Sequence, residues 1–334
     1  MDQGILEKVN EVLLDIFPGK KITDIQLIPE ISVNQLITFK IAGKKYLMKL
    51  LVRPPTAENE YYRLEKEAKL MKQFKHLHQT IGVAPKDAIA VPVPEIFFIE
   101  SNEERLGYKF LIMEFIEGEI LENIWSKISI EEKKALAIQF AHIIKGVHSI
   151  KYNMFGQIED YDCPRQFFSF ESLIKANVRR YARILGPKNI LPISLITNAV
   201  KFVEDNLDKL TYKSEATLVH RDFSQSNFIV NKIDENKWSV KALLDFEWSY
   251  SGSPIIDLLD IPELLPEKEI QEIFYQTYFE NKRSNLDEYI IEKKILTIHE
   301  ALETIAIGWV NFHPSKENIQ WIEKVLRETL NIQV

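Results

Sequence analysis

The chain has 334 residues, 46% of them hydrophobic and 27% charged, with a formal net charge of −7. That is material for one large or two medium globular domains, and the acidic balance argues against a broad nucleic-acid surface. A single cysteine, Cys163, rules out an intramolecular disulfide, no apolar run approaches the ~18 residues of a membrane helix, and Met1-Asp2-Gln3-Gly4 has no leader-like character, so a soluble, cytoplasmic chain with no membrane partner is expected.

In chain order, residues 5–17 read as an amphipathic helix closed by Pro18-Gly19. Strand-like runs follow at 22–28, 33–41 and 45–51, and the turn Ala42-Gly43-Lys44 makes a hairpin of the last two. Pro54-Pro55 breaks the chain. Residues 56–74 then read as a charged helix with Tyr62, Leu64, Ala68 and Met71 as apolar contacts. Runs 94–99 and 108–115 form another strand pair across the polar turn Ser101-Asn102-Glu103-Glu104. Past Gly118 the character changes. Ser129-Ile130-Glu131-Glu132 has the form of a capping box and opens a helix running to His148. Helical patterns cover 166–184, 193–210, 266–279, 286–312 and 316–330, interrupted by two short strands around Asp222 and Asp245. The expected class is α+β in two lobes. Residues 1–117 hold an antiparallel sheet with one main helix, residues 118–334 are mostly helical, and 114–118 form the joint.

The most informative segment is Leu218-Val219-His220-Arg221-Asp222-Phe223-Ser224-Gln225-Ser226-Asn227. It carries the pattern H-x-D-x-x-x-x-N between apolar runs. A second run, 240–244, ends in Asp245-Phe246. An Asp and an Asn on one loop, with a second Asp after a β-hairpin, is a layout that holds Mg-ATP and orients a hydroxyl. Phosphoryl transfer needs in-line positioning and charge neutralisation more than covalent help. Mg²⁺ prefers oxygen ligands and takes only one or two from the protein, which suits Asn227 and Asp245. Asp222 is placed to accept the proton of the attacking hydroxyl. The His220 ring is expected to bond the loop backbone and brace the Asp245 turn. The competing reading is a polar surface hairpin whose Asp and Asn only serve turns.

Two upstream features support the first reading. Lys49 is a charge within the apolar run Lys45-Tyr46-Leu47-Met48-Lys49-Leu50-Leu51, a cation for the phosphates unless it is an edge-strand lysine. Its expected carboxylate partner is Glu67, chosen over Glu60 and Glu65 because Glu-Ala followed by apolar residues marks an inward face. Leu111-Ile112-Met113-Glu114-Phe115-Ile116-Glu117-Gly118 is an apolar strand turning at the joint. Such a strand can offer its backbone edge to a purine, with the Glu114 carbonyl and the Ile116 amide pairing with adenine; the competing reading is a buried strand that ends at an ordinary Gly turn.

These segments, in the order Lys49, Glu67, 113–118, His220-x-Asp222…Asn227 and Asp245, resemble the aminoglycoside phosphotransferase family of small-molecule kinases, which includes choline kinases and shares the protein-kinase-like fold. The resemblance spans residues 20–265. Ser251-Gly252-Ser253-Pro254-Ile255-Ile256-Asp257-Leu258 adds to it, and by that match Asp257 braces the catalytic loop. The resemblance implies Asp222 as base, Asn227 and Asp245 as Mg²⁺ ligands, Lys49 with Glu67 at the phosphates of ATP, and the 114–116 backbone on adenine. It aligns Ser32 with a phosphate-covering loop, although Pro29-Glu30-Ile31-Ser32-Val33-Asn34 lacks the usual glycine. Arg221 stands where the family often has glycine.

The expected function is therefore transfer of the γ-phosphate of ATP to a hydroxyl of a small molecule, an aminoglycoside-like antibiotic or a metabolite. Glu247, Trp248 and Tyr250 are candidates to line the acceptor cleft, with Glu303 and Trp309 as weaker ones. A non-catalytic, pseudokinase-like module is the alternative. A protein-serine kinase is less well supported, since no Ala-Pro-Glu segment follows Asp245.

Overall fold

The computed structural model describes residues 3–29, 34–52, 63–80, 90–158, 166–210, 215–235, 237–280, 290–311 and 314–332. The N-terminal part is a five-stranded antiparallel sheet flanked by α1 (Gln3–Ile16) and α2 (Arg63–Thr80). Its strands are β1 (Ile22–Leu27), β2 (Asn34–Ile41), β3 (Lys44–Leu51), β4 (Ile96–Glu100) and β5 (Lys109–Glu114), in the order β1-β2-β3-β5-β4.

Strand alternation decides which helix each side chain meets. Met48 and Leu50 of β3, with Phe110 and Ile112 of β5, pack under Val9 and Leu13 of α1. Leu51, Leu111 and Met113 lie in the cluster that holds Leu64, Ala68, Met71 and Phe74 of α2. Lys49, opposite Leu111 in the ladder, shares the α2 side by the same parity.

The C-terminal part begins with β6 (Glu119–Ile120), α3 (Leu121–Ile124) and α4 (Ile130–His148). The expected capping box at α4 is present: Ser129 Oγ accepts from Glu132 N–H at 3.3 Å and Glu132 Oε2 accepts from Ser129 N–H at 2.8 Å. Next come β7 (Phe155–Gly156), β8 (Gln166–Phe167), α5 (Phe170–Leu185), α6 (Ile193–Asp205), β9 (Thr217–Val219), β10 (Phe228–Asp234), β11 (Lys237–Leu243) and β12 (Tyr250–Gly252). The chain closes with α7 (Ile255–Leu259), α8 (Ile261–Leu264), α9 (Lys268–Tyr278), α10 (Ile290–Asn311) and α11 (Lys316–Thr329). β11-β10-β6 form one small sheet and β8-β7-β12-β9 another.

The structure departs from the sequence reading in short elements. β6, β7, β8 and β12 span two or three residues each, too few for a period of two to register. The helix expected over 166–184 starts at Phe170, because Ser169 caps it and residues 166–167 pair with β7. Gly118 is fixed by close approach: with φ of +155°, a Cβ there would stand 2.6 Å from Ile229 Cγ2 and 2.7 Å from the Val230 carbonyl oxygen. That contact seats the joint against the strand leaving the Asp222 loop. Among the described residues no helix is long and apolar enough to cross a membrane.

Candidate active site

Lys49 is not an edge lysine. It sits on the central strand β3, only 5% exposed. Its Nζ lies 2.8 Å from Glu67 Oε2, 3.1 Å from Asp245 Oδ1 and 3.7 Å from Glu247 Oε2. Glu67 reaches inward because it shares the α2 stripe with Leu64, Ala68 and Met71, at helical spacings of three and four. Glu65, the rejected alternative, pairs elsewhere, with Lys109 at 3.0 Å.

Three carboxylates thus face one ammonium. Burial works against the charged lysine, but Asp245, Glu67 and Glu247 outweigh it and hold its pKa well above the ordinary value. Burial pushes the Glu67 carboxyl up to about 7, against the pull of Lys49 and with the further push of Asp245 and Glu247. Oxygens of Glu67, Asp245 and Glu247 lie within 4.8 Å of one another, so the cluster carries more negative charge than Lys49 offsets. That excess, on hard oxygen donors, fits a divalent cation such as Mg²⁺.

The loop between β9 and β10 carries Asp222 and Asn227. His220 is fully buried, donates from Nε2 to the Leu244 carbonyl at 2.9 Å and accepts at Nδ1 from Asp222 N–H at 3.2 Å. These bonds define the neutral tautomer with its proton on Nε2, and burial lowers the ring's pKa in keeping. Phe223 stacks on the ring at 4.8 Å and Phe246 meets it edge-on at 4.7 Å. Asn227 Nδ2 donates to the Asp222 carbonyl at 3.0 Å. The Asn227 carbonyl accepts from Leu244 N–H at 2.9 Å, so the Asp222 loop and the Asp245 turn are tied twice.

Arg221 and Asp245 both occupy the left-handed region, with φ of +70° and +64°. Non-glycine residues hold such angles only where their surroundings fix them. For Arg221 the fixing group is Asp257, fully buried, whose oxygens accept from Arg221 N–H at 2.7 Å and His220 N–H at 2.8 Å. The same carboxylate is 2.9 Å from His148 Nε2, and His148 Nδ1 is 2.7 Å from the Tyr278 hydroxyl. Sequence reading did not find His148 or Tyr278; their distances along the chain from Asp257 follow no local pattern.

On the other side, Asp222 lines a cavity of about 520 Å³ together with Trp248, α10 and α11 residues. The acceptor candidates sort unevenly around it. Trp248 lines the cavity, but Glu247 turns back through the short 3₁₀ turn 246–248 to meet Lys49 and Asn34. Tyr250 is buried, its ring 5.3 Å from the Arg221 guanidinium carbon, and does not line the cavity. Glu303 lines it but is committed to Arg221 and to the Tyr181 hydroxyl, at 2.8 Å from the latter. Against a burial penalty, Arg221 and His299 hold the Glu303 carboxyl down at about 2. The Trp309 side chain and Ser32 lie outside the described residues. Asn34, the first described residue after Ser32, donates from Nδ2 to Glu247 Oε2 at 3.2 Å. Glu114 ends β5 and Ile116 follows, both half-buried, at the turn into β6.

A β-sheet part whose central lysine meets a helix carboxylate, above a loop and hairpin carrying Asp, Asn and Asp, is the two-lobe, protein-kinase-like fold. The chain belongs to the phosphotransferase enzyme family APH, whose model matches residues 38–289, and it is accordingly a phosphotransferase. The solved gentamicin complex of APH(2")-IIa aligns with a TM-score of 0.67 at 19% identity, covering 100% of this chain and 99% of that one. A ternary complex of an APH(4)-Ia mutant with ADP and hygromycin B gives 0.66 at 13%, covering 98% and 99%. A candidate fructosamine-3-kinase from Haemophilus somnus 129PT gives 0.64 at 18%, covering 98% of each. At these identities the likeness is one of fold. Curated relatives match over shorter stretches. A subtelomeric hrmA-associated cluster protein of Aspergillus fumigatus is 27% identical over 130 residues, 35% of this chain and 26% of its own. Acyl-CoA dehydrogenase family member 11 of Pongo abelii is 26% identical over 177 residues, 51% of this chain and 20% of its own. The matched stretches are thus about a quarter or less of those proteins' length.

Proposed function

We propose that this protein transfers the γ-phosphate of ATP to a hydroxyl of a small molecule. The observation that carries the reading is the burial of Lys49 against Glu67 and Asp245, which brings a strand, a helix and the turn after β11 to one point. Lys49 would lie along the phosphates, held straight by Glu67. The Glu114 carbonyl and Ile116 amide would take the adenine edge. Asn227 and Asp245 would hold Mg²⁺, which supplies charge neutralisation for the phosphates.

In the transfer itself, the acceptor oxygen bonds to the γ-phosphorus as the bond to the ADP bridging oxygen breaks. The hydroxyl proton passes to the Asp222 carboxylate. His220, neutral and bonded on both nitrogens, holds the Asp222 backbone and takes no proton. The acceptor, whether an antibiotic or a metabolite, would enter through the cavity beside Asp222.

The test is ADP release by the whole chain in Mg-ATP with a panel of hydroxylated small molecules, repeated for Asp222→Asn. Acceptor-dependent ADP release that disappears in the variant supports the reading. Nucleotide binding with no turnover of any acceptor would favour a non-catalytic module.

A further inference from the structure

The cavity beside Asp222 has more structure than an entry path requires. α10 presents Glu300, Glu303, Thr304 and Ile307 to it at spacings of three and four, and α11 presents Asn318, Trp321 and Ile322 in the same way. Its charges are nearly all spoken for. Arg221, the only described cation on the wall, is paired with Glu303, whose second oxygen takes the Tyr181 hydroxyl. Asp222 is reserved for the attacking hydroxyl. Burial raises the Glu300 pKa against the pull of Arg221, but Glu300 makes no hydrogen bond or ion pair with another described residue, and it is the described wall carboxylate left to meet a ligand charge. Much of the remaining wall is apolar: Trp248, Ile305, Ile307, Pro314, Trp321 and Ile322. Trp321 is 61% exposed, a large apolar surface that folding alone leaves in water.

We infer that this site takes a hydroxylated monoamine with an apolar or aromatic body, and that the Arg221–Glu303 pair selects against polycationic acceptors. The inference rests on the phosphotransferase reading of the same site. A polyamine needs several carboxylates, and here one of three is already cancelled by a built-in guanidinium. A single ammonium at Glu300, with an apolar ring against Trp321 or Trp248, uses what the wall offers, including the attraction of a cation to an indole face. A cavity of about 520 Å³ is of the size that encloses most of a drug-sized molecule. Arg221 is thereby a specificity-determining residue at a position where glycine would fit the +70° backbone without strain.

The experiment measures binding to the whole chain saturated with Mg-AMP-PNP, by calorimetry, for three probes. They are 2-amino-1-phenylethanol, its uncharged counterpart 1-phenylethane-1,2-diol, and gentamicin. The monoamine should bind about tenfold more tightly than the diol, a margin typical of one well-placed charge contact, and the margin should vanish in Glu300→Gln. Gentamicin should bind more weakly than the monoamine to the unaltered protein. Arg221→Gly, which frees the Glu303 carboxylate, should tighten gentamicin by about tenfold. Equal binding of monoamine and diol, or gentamicin bound as tightly by the unaltered protein as by Arg221→Gly, overturns the inference. Either of those results with Mg-AMP-PNP still bound leaves the phosphotransferase reading standing. Failure to bind Mg-AMP-PNP at all overturns that reading and the inference with it.

Discussion

The two sides of the Asp222 loop are built on opposite electrostatic plans. On the lysine side, Glu67, Asp245 and Glu247 surround one ammonium and leave negative charge over. On the cavity side, Arg221 and Glu303 cancel each other, and the Tyr181 hydroxyl occupies the second Glu303 oxygen. Unfinished charge is a demand for a partner from solution, and a finished pair is a filter. The first side is therefore suited to recruiting cation and phosphate together. In the proposed selectivity, the second decides which hydroxyl compound reaches Asp222.

The sharpest way to break this contrast is to remove the group that links its halves. Asp222→Asn keeps the shape but not the proton acceptor, and kcat should fall by roughly 10²–10⁴-fold with nucleotide binding unchanged, as for the loss of a general base. A rate within tenfold of the parent would strip Asp222 of its proposed role. Lys49→Met comes next. It deletes the one described ammonium paired with these three carboxylates, and kcat/KM should drop by about 10²–10³-fold, on the scale of losing one preorganised charge contact to the reacting phosphate. It should also lower Tm in EDTA more than in excess Mg²⁺, since a metal can take over part of the lost positive charge. An identical loss in both conditions would mean that the carboxylate excess does not attract a cation.

Much of the lysine side was legible in the sequence. A charge inside an apolar run is improbable unless it is paired, and Lys49 is buried and paired as that logic requires. Glu67 could be picked from its neighbours because its stripe on α2 is otherwise apolar. The spacing around Asp222 and Asn227 survives because the loop is closed locally, by Asn227 to the Asp222 carbonyl. Other features were not legible. Glu247 was expected at the acceptor cleft, yet the turn 246–248 sends it to Lys49, a conformational choice that no periodicity encodes. The pairing of Arg221 with Glu303 joins residues 82 apart, and Asp257 with His148 joins residues 109 apart. Such contacts exist only once α4, α7 and α10 have packed. The two-residue strands fall below the length at which alternation carries information.

A third perturbation tests whether the cavity side is finished. Glu303→Gln leaves the Arg221 guanidinium without its countercharge in a mostly buried place, and should destabilise the fold by about 3 kcal/mol, as for one broken partner of a buried pair. Denaturant unfolding measures this. The double variant Arg221→Gly with Glu303→Gln should recover part of the loss, since no orphan charge remains. If the double variant is no more stable than Glu303→Gln, the two side chains are not coupled and the filter loses its basis.

The smallest effect sharpens the same comparison through pH. His299 lies one helical turn before Glu303 on α10, buried, with Nε2 3.1 Å from Asn177 Nδ2. Burial lowers its pKa from 6.5 to about 4, against the pull of Glu303 and with the push of Arg221. A base whose pKa is depressed in the folded state is protonated more readily unfolded, so its stabilising effect is complete above 6.5 and is lost as pH falls towards 4. Lowering pH from 7 to about 5.5 should cost about 1 kcal/mol through this residue, one pKa unit being worth 1.36 kcal/mol. His299→Gln keeps an amide partner for Asn177 and removes the titration, so the difference in stability between the two proteins should change by that amount between the two pH values. A difference that stays flat would show that His299 is protonated in the fold at mild acidity. The cavity side would then carry an extra positive charge that its pairing does not cancel, and the contrast with the lysine side would fail at its finished end.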